Sequence, residues 1–216
     1  MSAQPLMAIA ISRLLGAGGA ALGQRLSKRF GYAYLDRAIL QQVADHIGIN
    51  EADLSCWEEN VSRFWERLVE VFALGSPEAP YTPPPASTGV QDQQLFQLES
   101  QVIREAAFKR SVVVVGRGGF WVLRDHPGLV SVFLHAPRSA RIRQVMRSYR
   151  LPGEREAGEM IDRVDADRTR FIHKVTGQLP GDARCFHLSI DTHHAGLDLT
   201  EEMVVSLVAR VRDQSA

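Results

Sequence analysis

The segment Ser12-Arg13-Leu14-Leu15-Gly16-Ala17-Gly18-Gly19-Ala20-Ala21-Leu22-Gly23 gathers the small residues that let consecutive backbone N–H groups close around an anion. An apolar run at residues 7–11 precedes it, and Leu22, Leu26 and Phe30 follow at a four-residue step. The turn therefore joins a strand to the positive end of a helix, an arrangement that suits phosphate; a purely structural turn is the alternative. Two named patterns compete for it. Gly16-x-Gly18-x-x-Ala21 satisfies the dinucleotide fingerprint, with Asp36 at the distance of a ribose-binding acid. The phosphate-loop consensus instead asks for a lysine followed by serine or threonine, where this chain has Gly19 and Ala20.

Phosphoryl transfer is mostly positioning and charge neutralisation, so cations missing from the loop have to arrive from elsewhere. Arg13 flanks the loop, Arg117 stands in a glycine turn after an apolar run, and Arg163, Arg168 and Arg170 share one helical stretch. Each has a plainer role open to it. Arg163 with Asp167, and Asp165 with Arg168, have the spacing of solvated helix pairs. Arg117 has more in its favour, because turns at strand ends are where α/β sheets bind ligands. Asp36 either caps a helix or accepts a hydrogen bond from a nucleoside or a phosphate-binding arginine. His193-His194 lacks the further spaced ligands of a metal site, and Cys56 and Cys185 match no metal or redox spacing, so no metal site is expected from side chains.

The elements that would position these residues alternate. Residues 7–11 form a short apolar run that should be a central strand. Strands are also predicted at residues 32–35, 112–115, 129–134 and 186–190. Between them run amphipathic patterns: Ile39, Leu40, Val43 and Ile47; Val61 through Phe72; Leu95, Leu98, Val102, Ile103 and Ala106; Ile142, Val145 and Met146; Met160 through Val175; and Met203 through Val208. Pro77, Pro80, Pro83, Pro84 and Pro85 forbid regular structure between Gly75 and Gly89, predicting an extended surface loop. This alternation predicts a three-layer, mostly parallel α/β domain spanning residues 1–216, with a helical insertion and Pro-rich loop at 57–94 and a lid-like helical segment at 151–180.

Composition narrows the classes. With 216 residues and 45% hydrophobic content the chain is long enough for one substantial core. Its 25 basic and 25 acidic residues cancel, so no global field draws it to nucleic acid or an anionic membrane, and any anion site is local. The apolar runs are strand-sized and no leader pattern opens the chain, which predicts a cytoplasmic protein.

Several motifs, in order from about residue 7 to 211, resemble the cytidylate kinase-like family. Ser12-Arg13 then Gly16, Gly18, Gly19 and Gly23 match its strand-end loop; Tyr34-Leu35-Asp36-Arg37 resembles its Tyr-x-Asp segment; Gly116-Arg117 matches a strand ending in Gly-Arg. Val164-Asp165-Ala166-Asp167-Arg168 and Thr176-Gly177 resemble its lid helix. The family's tolerance of glycine at the lysine position, often with arginine one residue later, meets Ala20 here. The resemblance implies a P-loop nucleoside triphosphate hydrolase-like fold with a helical lid, and a nucleoside-monophosphate-kinase-like transfer from ATP, with Mg²⁺, to a small acceptor, CMP by default. It implies that Ser12, Arg13, Gly16, Ala17, Gly18, Gly19, Ala20 and Ala21 hold the nucleotide phosphates, and that Asp36, Arg37 and Arg117 meet the acceptor. Arg117, Arg168 and Arg170 would serve as catalytic cations. Two other readings stay open: a nucleotide-binding regulatory protein that kept the fold without efficient transfer, motivated by Gly19 and Ala20, and a dinucleotide-dependent enzyme using the Gly16 turn with Asp36.

Overall fold

The computed structural model describes residues 5–36 and 89–215. Strand β1 (Ala8–Arg13) leads through the glycine turn into α1 (Gly19–Phe30), then β2 (Ala33–Leu35). After residue 88 come α2 (Gly89–Lys109), β3 (Val112–Val115), the short α3 (Gly119–Val122) and β4 (Leu129–His135). The helical hairpin α4 (Arg138–Tyr149) and α5 (Glu154–Thr176) follows, then β5 (Leu188–Asp191) and α6 (Thr192–Ser215). Helix α2 starts earlier than its apolar spacing predicts, at the glycine that ends the Pro-rich stretch; no proline lies between Gly89 and Lys109 to stop a helix. Arg37, the amphipathic patterns between Ile39 and Phe72, and the proline cluster lie outside the described residues.

The sheet runs β2-β3-β1-β4-β5 and every pairing is parallel. β1 is central, as its apolar run predicts, because a parallel strand covered on both faces has no polar side. Register then decides which side chains face which layer. Ile11 is level with Val115 and Ala10 with Val114, so odd and even positions point to opposite layers. A Cβ at Gly23 of α1 would meet Val115 Cγ2 at 2.6 Å, and one at Gly119 of α3 would meet Val114 Cγ1 at 2.8 Å. Helix α1 therefore covers one face and α3 the other, completing three layers. α6 shares the α1 face, where Arg25 and Arg29 of α1 pair with the buried Glu201.

The main core is Met7, Ile9, Ile11, Leu22, Leu26, Leu35, Ile103, the four valines of β3 and Leu134. Each such side chain contributes about 1.5–3 kcal/mol of burial. A second, separate cluster belongs to the hairpin: Val145, Ala157, Ile161 and Val164, joined by Leu15 from the glycine turn. Among the described residues no helix is long and apolar enough to cross a membrane.

Candidate functional site

Two turns at the carboxyl ends of adjacent strands form the site. The first follows β1, with Gly16 at φ +81° and Gly18 at φ +80°; the second follows β3, with Gly116, Arg117 and Gly118 at φ +83°, +52° and +66°. Crevices at this edge of a parallel sheet are where α/β folds bind ligands. Gly16 has a second reason to be glycine: a Cβ there would sit 2.9 Å from the Arg141 carbonyl oxygen of α4. Gly18 caps α1, whose first N–H groups open onto the turn, with Gly19 and Ala20 in its first turn. Ser12, the next-to-last residue of β1, and Ala21 flank this cradle on either side.

Arg13 joins the two turns. A Cβ at Gly19 would lie 2.7 Å from Arg13 Cγ, and one at Gly116 would collide with Arg13 Nη1. The arginine stem thus runs across the backbone of Gly19 and sets its guanidinium at the second turn. The space a lysine side chain would leave from at position 19 is already filled by a cationic side chain coming from β1.

Arg117 is a non-glycine residue in left-handed backbone, a conformation that costs about 1–2 kcal/mol. Its side chain shows what holds it there. Nε donates to Glu99 Oε2 at 2.8 Å, Nη2 donates to the same oxygen, and the guanidinium carbon stands 4.6 Å from the centre of the Phe171 ring. Glu99 is only 1% exposed and lies on α2; Phe171 lies on α5 and meets Phe96 edge-on. An acid buried so deeply needs a cation, and Arg117 supplies it. Asp36 falls beside this turn: Leu35 is level with Val114, so Asp36 follows level with Val115 on the neighbouring strand. It stands two strands away from the Gly16 turn, because β3 separates β2 from β1. A dinucleotide fold places its second strand next to the first, so the strand order removes the dinucleotide reading.

Helix α5 lies over both turns. Arg168 Nη1 donates to the carbonyl of Arg13 at 3.3 Å and sits 4.0 Å from Asp165. Asp165 accepts from the Leu15 N–H at 2.9 Å and from Arg141 Nη1 at 2.6 Å. Arg170 instead pairs with Asp167 and its side chain is 73% exposed, while Arg163 is exposed on the same helix. The structure brings Arg13, Arg117 and Arg168 together at the two turns and turns Arg170 toward Asp167.

Sequence reasoning passed over Glu99 and Arg141, yet both left a signal. Glu99 stands four residues before Ile103 and Arg141 four before Val145, so each is a charge on the buried stripe of its helix. Such a charge requires a partner inside the fold. At the end of β5, Asp191 accepts from the His193 and His194 N–H groups and pairs with His194 Nδ1 at 2.9 Å. The His194 ring, first, and those N–H groups hold its carboxyl below the usual range. Asp191 thus caps the first turn of α6, and the histidine pair lies within that turn. Among the described residues no three metal-ligating side chains converge.

A central β1, a glycine turn feeding α1 and the strand order 2-3-1-4-5 define a P-loop fold of the kinase type. The chain belongs to the cytidylate kinase-like family, whose sequence model matches residues 8–194. An uncharacterized protein from Eubacterium ventriosum superposes with a TM-score of 0.69 at 20% identity, covering 94% of this chain and 98% of that one. A gluconokinase from Sinorhizobium meliloti superposes with a TM-score of 0.52 at 15% identity, covering 99% and 97%. No curated protein matches the chain. Family membership supports a kinase-like function on a nucleotide or other small molecule.

Proposed function

We propose that the chain transfers the γ-phosphoryl group of ATP to a small acceptor, with CMP the first acceptor to test. The observation that carries this reading is the course of Arg13, which crosses Gly19 and ends at Gly116. The residues that remove the usual loop lysine therefore leave room for another cation at the point where the two turns meet. The amides of Gly16 and of Gly18 through Ala21 would cradle the β- and γ-phosphates, while that of Ala17 donates to the Leu14 carbonyl at 3.2 Å. Arg13 and Arg168 would neutralise charge as the acceptor oxygen bonds to the γ-phosphorus and the bond to the β–γ bridging oxygen breaks, leaving ADP. Arg117, with Asp36 beside it, would hold the acceptor; Arg37 and Arg170 are the further candidates that the family resemblance names. The loop offers Mg²⁺ no hydroxyl at Ala20, so the residues do not fit a protein-held ion there and no step is assigned to it.

The second reading, a nucleotide-binding regulatory protein, is favoured by the same Gly19 and Ala20. One experiment separates them: titrate the protein with ATP and a panel of nucleoside monophosphates and small hydroxyl acceptors, following binding and ADP release, with Arg117→Ala in parallel. ADP release that depends on one acceptor and falls in Arg117→Ala supports transfer. Nucleotide binding without turnover for any acceptor overturns transfer and leaves the regulatory reading.

A further inference from the structure

Leu15 is gripped from three directions by one helical hairpin. Its N–H donates to Asp165 Oδ1 of α5 at 2.9 Å, and its carbonyl accepts from Arg141 Nη1 of α4 at 3.2 Å. Its side chain packs with Val145, Ala157, Ile161 and Val164, and the residue is 6% exposed. Asp165 and Arg141 also bind each other at 2.6 Å, so the two groups holding the Leu15 backbone form one ion pair. Two residues further on, Ala17 belongs to the other core, that of the sheet. The phosphate loop is therefore the seam between the two apolar clusters, and Gly16, at φ +81° against the α4 backbone, is the joint between them.

A loop whose neighbouring residues are rooted in different packed bodies takes its shape from how those bodies sit. We propose that Leu15 couples the α4–α5 hairpin to the phosphate loop, and that Asp165 is the positioning residue that sets the loop's shape for nucleotide phosphate. Asp165 acts through the Leu15 N–H and through Arg141, not by touching the nucleotide. Coupling of this kind is reciprocal: phosphate bound in the loop holds the hairpin, and the hairpin holds the phosphate site. The effect on nucleotide affinity rests on the loop being the phosphate cradle proposed above; the grip on Leu15 does not.

The test is amide hydrogen exchange combined with ADP titration on the full chain, for the wild type, Asp165→Ala and Asp165→Asn. In Asp165→Ala the Leu15 amide is expected to exchange about tenfold faster or more, the effect of losing a hydrogen bond to a charged group, while the Ile9 and Ile11 amides of β1 keep their protection. Asp165→Asn is expected to restore protection at Leu15, because its side-chain carbonyl accepts the same bond. The dissociation constant for ADP should rise about tenfold in Asp165→Ala and recover in part in Asp165→Asn. Unchanged Leu15 exchange in Asp165→Ala would overturn the grip; faster exchange with unaltered ADP affinity would overturn its role in shaping the loop. Failure of the wild type to bind ADP would overturn the nucleotide reading itself, with the exchange arm still deciding the grip. If Asp165→Ala does not fold, Leu15→Ala probes the same contact from the loop side and should speed exchange at residue 15.

Discussion

The two turns at the edge of the sheet solve the same problem with different means. The turn after β1 is a backbone device: its left-handed positions, Gly16 and Gly18, are both glycine, and the consensus sites for a cation and a hydroxyl hold Gly19 and Ala20. The turn after β3 is a side-chain device: between two left-handed glycines it keeps an arginine in the same strained conformation and secures its guanidinium with Glu99 and Phe171. One turn supplies donors without net charge, the other supplies charge with little freedom. Arg13, rooted in the strand of the first and ending at the second, joins them.

The largest effect should come from unpairing the second turn. Glu99→Ala leaves Arg117 largely buried beside an apolar ring with its carboxylate gone, and is expected to lose about 3–5 kcal/mol in urea unfolding. A loss below about 1 kcal/mol would mean that Arg117 finds water instead, and that the turn is less closed than its geometry indicates. Next comes Arg13→Ala. If this cation stands in for the loop lysine, kcat should fall about 10²- to 10³-fold with folding intact, the scale seen when one group stabilising developing charge is removed. A KM change alone would confine Arg13 to ground-state binding.

Gly16→Ala tests the backbone device. The left-handed conformation alone should cost about 1–2 kcal/mol, and the approach to the Arg141 carbonyl adds to it, so both thermal stability and ADP affinity should drop. The smallest effect is also the sharpest comparison. Arg150, like Arg117, is an arginine at φ +52°, but it caps α4 with an exposed side chain at a position where helices favour glycine. Arg150→Gly should stabilise the chain by up to about 1 kcal/mol, whereas Arg117→Gly should destabilise it because Glu99 loses its partner. Equal responses in the melting temperature would show that Arg117 owes its backbone to nothing but the turn.

Much of this was legible in the residues. The apolar run of β1, the glycines after it and the four-residue step of Leu22, Leu26 and Phe30 predict a strand, a glycine turn and a helix, and all three are present. The valines of β3 follow from an unbroken apolar run, and the hairpin helices from helical spacing. Two features were harder to read. The dinucleotide and phosphate-loop patterns both fit the same glycines, and only strand order distinguishes them, since local spacing carries no information about which strand lies beside β1. The arginines on α5 look alike in sequence, yet Arg168 reaches the Arg13 carbonyl while Arg170 pairs outward with Asp167, because helical phase against a particular neighbour decides which side chain faces in.

Sequence by itself determined the main strands and helices among the described residues, the glycine turn, and the lack of a lysine at position 19 and a hydroxyl at position 20, because these depend on apolar patterning, on backbone freedom and on residue identity. Tertiary structure alone decided that Arg13 crosses Gly19, that Glu99 holds Arg117, and that Leu15 is claimed by the hairpin while Ala17 belongs to the sheet. Those are contacts between residues far apart in the chain, set by how twisted layers meet, and no local pattern records them.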